Sequence, residues 1–291
     1  MELNHLEVTA PPRAAASVVM LRDAAAGMEV LLQKRHAASS VLGGAHVFPG
    51  GKLDPADLDL DMHAHLDRDV RSLHEALREP SLSPLEAAGL HVAALREAFE
   101  ECGLLLAHGA SQRVAELAAM RTAEGLSFNR LLADLALRLD TTNLVPWSRW
   151  ITPKVPSVSS KRFDTRFFVA LVEEGVEVSH DDRELVETIW LRPRAALELY
   201  WAGRMMLAPP QIMSLAHLSR HARGKDVLAA ARATGPALIE PHSCEIDGER
   251  VVCYPGDERH PVAQRALPGP SRLVFRNRRF EPFGGFESLL R

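Results

Sequence analysis

Residues 83–103 read SPLEAAGLHVAALREAFEECG, and both ends of a helix are spelled out in them. Ser83 can cap the first free amides, Pro84 fits the first helical position, and Glu86 stands where it can bond back to the cap, which is the capping-box arrangement. Gly103 supplies the left-handed conformation that closes a helix. Within that helix Glu97, Glu100 and Glu101 stand at i, i+3 and i+4, so three carboxylates leave one face. Like charges so placed repel one another unless a cation neutralises them. Leu95, Phe99 and Leu104 surround the acids with apolar groups, as in a partly enclosed site. Clustered hard oxygen donors suit Mg²⁺ or Mn²⁺, ions that in turn bind phosphate oxygens and water. The residues therefore predict a divalent cation and a phosphate-bearing substrate.

A second marked stretch, HVFPGGKLDPADLD, lies at 46–59. Its adjacent glycines permit positive φ and close approach of the backbone to an ion, while a tight turn leaving a strand explains them equally. The acids and histidines that follow resemble a calcium loop, but counting from Asp57 puts His63 near the glycine position and Arg68 at the closing glutamate, so the EF-hand pattern fails. The stretch reads as a solvated insert.

Around these landmarks the chain alternates strand and helix signals. Ala14–Leu21 and Met28–Lys34 read as paired strands, Ser111–Met120 and Phe128–Leu139 as helices, Arg162–Val172 and Thr188–Leu191 as strands. Helices follow at Arg194–Tyr200 and after Pro209-Pro210. Hairpin signals at Asp247-Gly248 and Arg276-Asn277 mark the tail. The sum is an α/β (α+β) chain with strand-rich ends.

A net charge of −4 argues against a nucleic-acid surface. The arginines at 272, 276, 278 and 279 read as the solvated face of a hairpin. Three cysteines without CxxC spacing indicate neither disulfides nor structural zinc, and no window carries the apolar run of a membrane span. With no targeting signal either, a cytoplasmic location is the default expectation.

FPGGKLD and REAFEECGL resemble the two ends of the Nudix box, G-x5-E-x7-R-E-U-x-E-E-x-G-U, with Ala98 at the first aliphatic position. An uninterrupted box starting at Gly51 would place its arginine at 65, and the chain has it at 96, so an insert of about 54–82 divides the box; surface loops tolerate such insertions because closure entropy grows slowly. Counting back from Arg96, Ala88 fills the place of the first glutamate, while Glu86 is committed to the cap. Counting forward from Gly51, Asp57 falls at that place, and it is assigned here to the insert. GAHVFPGG, the insert and WITPKVPSVSSKRFDTRFFVA are together similar to the Nudix branch of peroxisomal-type acyl-coenzyme A diphosphatases and their bacterial relatives.

The resemblance implies a Nudix αβα sandwich with a mixed central sheet over 10–225 and a C-terminal extension over 226–291. It implies that Glu97, Glu100, Glu101 and the Gly50 carbonyl hold Mg²⁺ or Mn²⁺ while Arg96 orients Glu97. The reaction would be attack of water on a diphosphate phosphorus. The base is Glu97 or a glutamate of a later loop, Glu184 or Glu187. Arg35, Lys161, Arg162 and Arg166 are candidates to pair with substrate phosphate, as arginine suits bidentate contact. Coenzyme A or an acyl-coenzyme A is the leading substrate, with ADP-ribose or a dinucleotide as the alternative. A Nudix module that senses a nucleotide without turnover is the reading from another class.

Overall fold

The computed structural model describes residues 4, 7–39, 41–155, 161–176, 178 and 185–291. The sheet begins with β1 (Arg13–Ala24), β2 (Gly27–Arg35), β3 (His46–Val47) and β4 (Gly50–Lys52). A short ribbon follows from β5 (Ala107–His108) and β6 (Arg138–Leu139), then β7 (Val145–Ile151), β8 (Phe163–Leu171), β9 (Leu185–Leu191) and β10 (Ala237–Ile239). The main sheet runs β10-β7-β8-β1-β2-β3, with β4 also on β1 and β9 also on β2. Pairs β1·β8 and β10·β7 are parallel and the others antiparallel, so the sheet is mixed.

β1 is the central strand, and its run ASVVML is buried on both faces, which explains an unbroken apolar stretch where an exposed strand would alternate. Val18 and Met20 point into one core and Val19 and Leu21 into the other. The first core is roofed by α1 (Val70–Leu77) and α2 (Pro84–Cys102), with α3 (Gln112–Ala123) and α4 (Phe128–Asp134) at its margin. The second is roofed by α5 (Pro193–Trp201), α6 (Pro209–Leu218) and α7 (Gly224–Thr234). This is the expected αβα sandwich.

The tail forms an antiparallel sheet of β11 (His242–Ile246), β12 (Glu249–Cys253), β13 (Arg272–Arg276) and β14 (Arg279–Glu281). Its two hairpins turn through Asp247-Gly248, as the sequence signals, and Asn277-Arg278, one residue after the signalled pair, all at positive φ. Val252, Tyr254, Leu273 and Phe280 pack into the second core, and Tyr200 Oη both donates to the Phe280 carbonyl and accepts its amide. The main sheet itself runs on beyond 225, since β10 forms its edge. The hairpin arginines pair with acids: Arg272 with Asp257, Arg276 with Glu249 and Arg279 with Glu281.

Two expectations change. The helix expected over Phe128–Leu139 ends at Asp134; Ala136 takes positive φ, and Arg138–Leu139 leave to pair with β5. The stretch read as a solvated insert is packed helical structure. Met62, Leu66, Leu73 and Leu77 are all buried against the first core, and α1 lies along α2.

Candidate active site

α2 has the ends its sequence specifies. Ser83 Oγ accepts the Glu86 amide, Glu86 returns a bond from the Ser83 amide, and Gly103 closes the helix at φ 69°. This fixes the helix in register against β1 and β4, so the acidic face of its last turns meets the strand pair made by β1 and β4. Gln33, fully buried on β2, donates from Nε2 to the Glu101 carbonyl at 2.9 Å and ties the end of α2 to the sheet.

Both glycines of FPGG are explained by close approach, not by handedness, because neither has positive φ. A Cβ on Gly50 would lie 2.5 Å from the Ala16 carbonyl oxygen. One on Gly51 would lie 2.1 Å from Glu97 Oε1, so the missing side chain is the space that the Glu97 carboxylate occupies. The Gly50 amide donates to Glu101 Oε2 at 2.9 Å, and Ser17 Oγ donates to the Pro49 carbonyl at 2.8 Å, pinning the loop onto β1.

Arg96 is the hub. It donates to Asp57 through Nε and Nη2, to Glu97 Oε1 at 2.8 Å, to Glu100 Oε2 at 2.9 Å and to the Lys52 carbonyl at 3.2 Å. Burial opposes its charge, but the bond to Asp57 and the fields of Glu97, Asp57 and Glu100 outweigh that and raise its pKa. Burial raises the Glu97 pKa, with Arg96 opposing and Glu100 and Asp57 adding to the rise. Arg96 thus carries one positive charge against the three carboxylates it touches. That excess of negative charge, on hard oxygen donors beside a backbone stripped of side chains, fits a divalent cation.

Asp57 corrects the assignment of the box's first acid. Its position six residues after Gly51 was the signal, and the structure gives it the Arg96 partner that Ala88, buried in the first core, cannot be. The insert therefore begins after Asp57. Asp54 caps the 3-10 turn Pro55–Leu58, whose capping box Asp57 completes.

A cleft of about 550 Å³ opens beside this network, lined by Gly50, Gly51, Arg96, Glu97, Glu101, Lys52, Arg35 and Lys161 among others. Glu100, with 38% of its side chain exposed, stands outside that lining. Two candidate substrate arginines lie elsewhere. Arg166 is buried and grips Glu79 with Nε at 3.0 Å and Nη2 at 2.5 Å while Nη1 meets Asp164. Arg162 donates to the carbonyls of Thr152 and Ala10. Both are spent on holding segments together.

Glu187 is not in the cleft either. Gln33 points to the α2 side of the sheet, so its neighbour Lys34 and the cross-strand partner of Lys34, Glu187, point to the other side. There Glu187 lies 3.8 Å from His46 Nε2. Glu184 lies outside the described residues.

Residues 7–218 match the family model described as NUDT19 Nudix domain. The chain is 30% identical over 231 residues to the acyl-coenzyme A diphosphatase NUDT19 of Xenopus laevis, covering 67% of this chain and 60% of the frog protein. The human protein of that name is 30% identical over 239 residues, covering 70% of this chain and 64% of its own length. A putative nudix hydrolase 7 of Caenorhabditis elegans is 26% identical over 276 residues, covering 94% of this chain and 82% of the relative. Among solved structures, a NUDIX hydrolase from Alicyclobacillus acidocaldarius superposes with a TM-score of 0.60 at 26% identity, covering 78% of this chain and 98% of that one.

Proposed function

The chain belongs to the Nudix family, and on that premise we propose that it hydrolyses the diphosphate of coenzyme A or an acyl-coenzyme A, with Mg²⁺ or Mn²⁺ as the ion. The observation that carries this reading is the packing of the Glu97 and Glu101 carboxylates directly against the bare backbone of Gly50 and Gly51 on the wall of the cleft.

Glu97, Glu101 and Glu100 are the ligands proposed for the cation, with the Gly50 carbonyl as a fourth donor. A divalent ion held there would neutralise charge on the diphosphate oxygens and lower the pKa of a water. Arg96 positions Glu97 and is itself aimed by Asp57. Glu97 is the proposed general base: with Glu187 turned to the other face, it is the carboxylate of the cleft wall whose pKa is raised, chiefly by burial, which strengthens it as a proton acceptor. Lys161 and Arg35, both on the cleft wall, are the proposed partners of substrate phosphate.

ADP-ribose or a dinucleotide is the competing substrate class, and a sensor without turnover is the competing kind of function. The purified protein is assayed with Mg²⁺ and with Mn²⁺ against coenzyme A, acyl-coenzyme A, ADP-ribose, NADH and dinucleoside polyphosphates. Release of the 4′-phosphorylated pantetheine arm at the highest kcat/KM is the expected result. Faster cleavage of ADP-ribose would overturn the substrate assignment, and tight binding without hydrolysis of any compound would overturn the enzymatic one.

A further inference from the structure

A second cavity, of about 190 Å³, adjoins the cleft and shares Phe163, Thr165, Phe167, Lys161 and Gln211 with it. Its volume is more than ten times the ~10–15 Å³ that admits one water. Phe163, Thr165 and Phe167 alternate along β8 and so project from one face, forming a continuous floor under both spaces. Beyond that floor the walls change character: Trp150, Val252, Pro209 and Pro210 replace the carboxylates.

Two features say what this chamber takes. α6 starts at its wall with Pro209-Pro210, which removes two of the amide donors that a helix N-terminus ordinarily offers to phosphate. This helix end therefore offers little to a phosphate, and Lys161, the proposed phosphate partner, belongs to the part of the lining that the chamber shares with the cleft. Gln211, directly after the prolines and 6% exposed, lines both spaces, and its Oε1 has no hydrogen-bond partner among the described residues. A buried carbonyl oxygen left without a donor costs about 1–3 kcal/mol; Oε1 is covered where it stands, and a turn of the Gln211 side chain toward the chamber it lines would let a ligand N–H recover that cost. The complementary ligand is an apolar arm carrying an amide, attached on one side to a diphosphate.

We propose that this chamber binds the pantetheine arm of the substrate, with Gln211 Oε1 accepting one of its amide N–H groups, and so sets the direction in which the substrate lies across the metal site. The inference rests on the coenzyme A reading above but concerns the non-phosphate half of the molecule. It makes Gln211 a specificity-determining residue, because dinucleotides and ADP-ribose have a ribose in place of the apolar amide arm.

The test is calorimetric titration of S-hexanoylpantetheine, which has no diphosphate, into wild type, Pro210→Trp and Gln211→Leu. Circular dichroism and thermal melts establish that each variant is folded. Binding by wild type, weakened at least tenfold in both variants, is the expected result. Absence of binding to wild type, or equal binding by all three, overturns the proposal. The same proteins are assayed on coenzyme A with Mn²⁺, where both variants should raise KM about tenfold at nearly unchanged kcat. Hydrolysis of coenzyme A by a wild type that ignores the free arm would leave the proposed reaction standing and remove the chamber. Binding of the free arm by a wild type that hydrolyses nothing would do the reverse.

Discussion

Arg96 holds Asp57 with two hydrogen bonds, Nε to Oδ1 at 2.8 Å and Nη2 to Oδ2 at 3.0 Å, and Asp57 is fully buried. The pair does two jobs: it closes the 3-10 turn onto α2, and it leaves Nη1 free to hold Glu97 and Glu100. Removing Asp57 leaves Arg96 with Glu97, Glu100 and the Lys52 carbonyl as partners, so the cost falls below the ~3–5 kcal/mol of a stranded buried charge, at about 2 kcal/mol. Asp57→Ala should therefore lower the urea midpoint by a corresponding amount and reduce kcat at least tenfold in the fraction that remains folded. Wild-type stability in Asp57→Ala would show that Ala88's neighbourhood, not Asp57, closes the box.

Gly51→Ala tests the space that Glu97 occupies. With a Cβ placed 2.1 Å from Glu97 Oε1, the carboxylate must move off the cleft wall. The expected outcome is a loss of about 10²-fold or more in kcat, since displacement of a group by even 1 Å costs that much. The fold should survive, because only a side-chain end gives way. Mn²⁺ affinity, read by electron paramagnetic resonance, should fall in parallel. Undiminished Mn²⁺ binding would remove Glu97 from the ligand set.

How far these sites were legible in the chain follows from the range of the interactions. The ends of α2 and the two tail hairpins are written by residues within a few positions of one another; the structure has the helix ends and the Asp247-Gly248 turn as read, and the second turn one residue later, at Asn277-Arg278. Asp57 was assigned to the insert because its partner is 39 residues away. The insert looked solvated because its acids and histidines dilute the four buried apolar residues that dock it, and that docking depends on Glu79 meeting Arg166 across 87 positions. Glu187 was a candidate base through the Nudix resemblance alone. Its direction is set by its pairing opposite Lys34, a register that no local signal carries.

Arg166 gives a clean separation between substrate contact and architecture. Its guanidinium ties β8 to the end of the insert through Glu79, with Arg149 adding a bond to the same carboxylate at 2.8 Å. Arg166→Met should destabilise the fold by about 3 kcal/mol or more, as expected for a broken buried pair, with Arg149 softening the loss. KM for coenzyme A should stay within twofold of wild type at a temperature where the variant is folded. A rise of tenfold or more in KM without destabilisation would return Arg166 to the substrate site.

His91 predicts a specific acid sensitivity. It is buried in α2 against Phe168, its Nδ1 lies 2.8 Å from the Ala87 carbonyl, and burial drives its pKa down to about 4, with that carbonyl opposing the fall. The folded chain therefore keeps His91 neutral where the unfolded chain, near the ordinary value of about 6.5, takes up a proton. The unfolded state binds more protons between these two values, so stability is present above about pH 6.5 and is lost as the pH falls toward 4. The full shift corresponds to about 3 kcal/mol. His217, pushed down to about 4 chiefly by burial, with His221 and Arg220 adding to the fall, acts in the same window, so the wild-type profile alone cannot isolate either residue. His91→Leu removes one share. The urea midpoint of the variant relative to wild type should rise between pH 7 and pH 4.5, by about 2 kcal/mol in stability. An offset that is the same at both pH values would mean that His91 is reached by water or by a proton acceptor in the folded state.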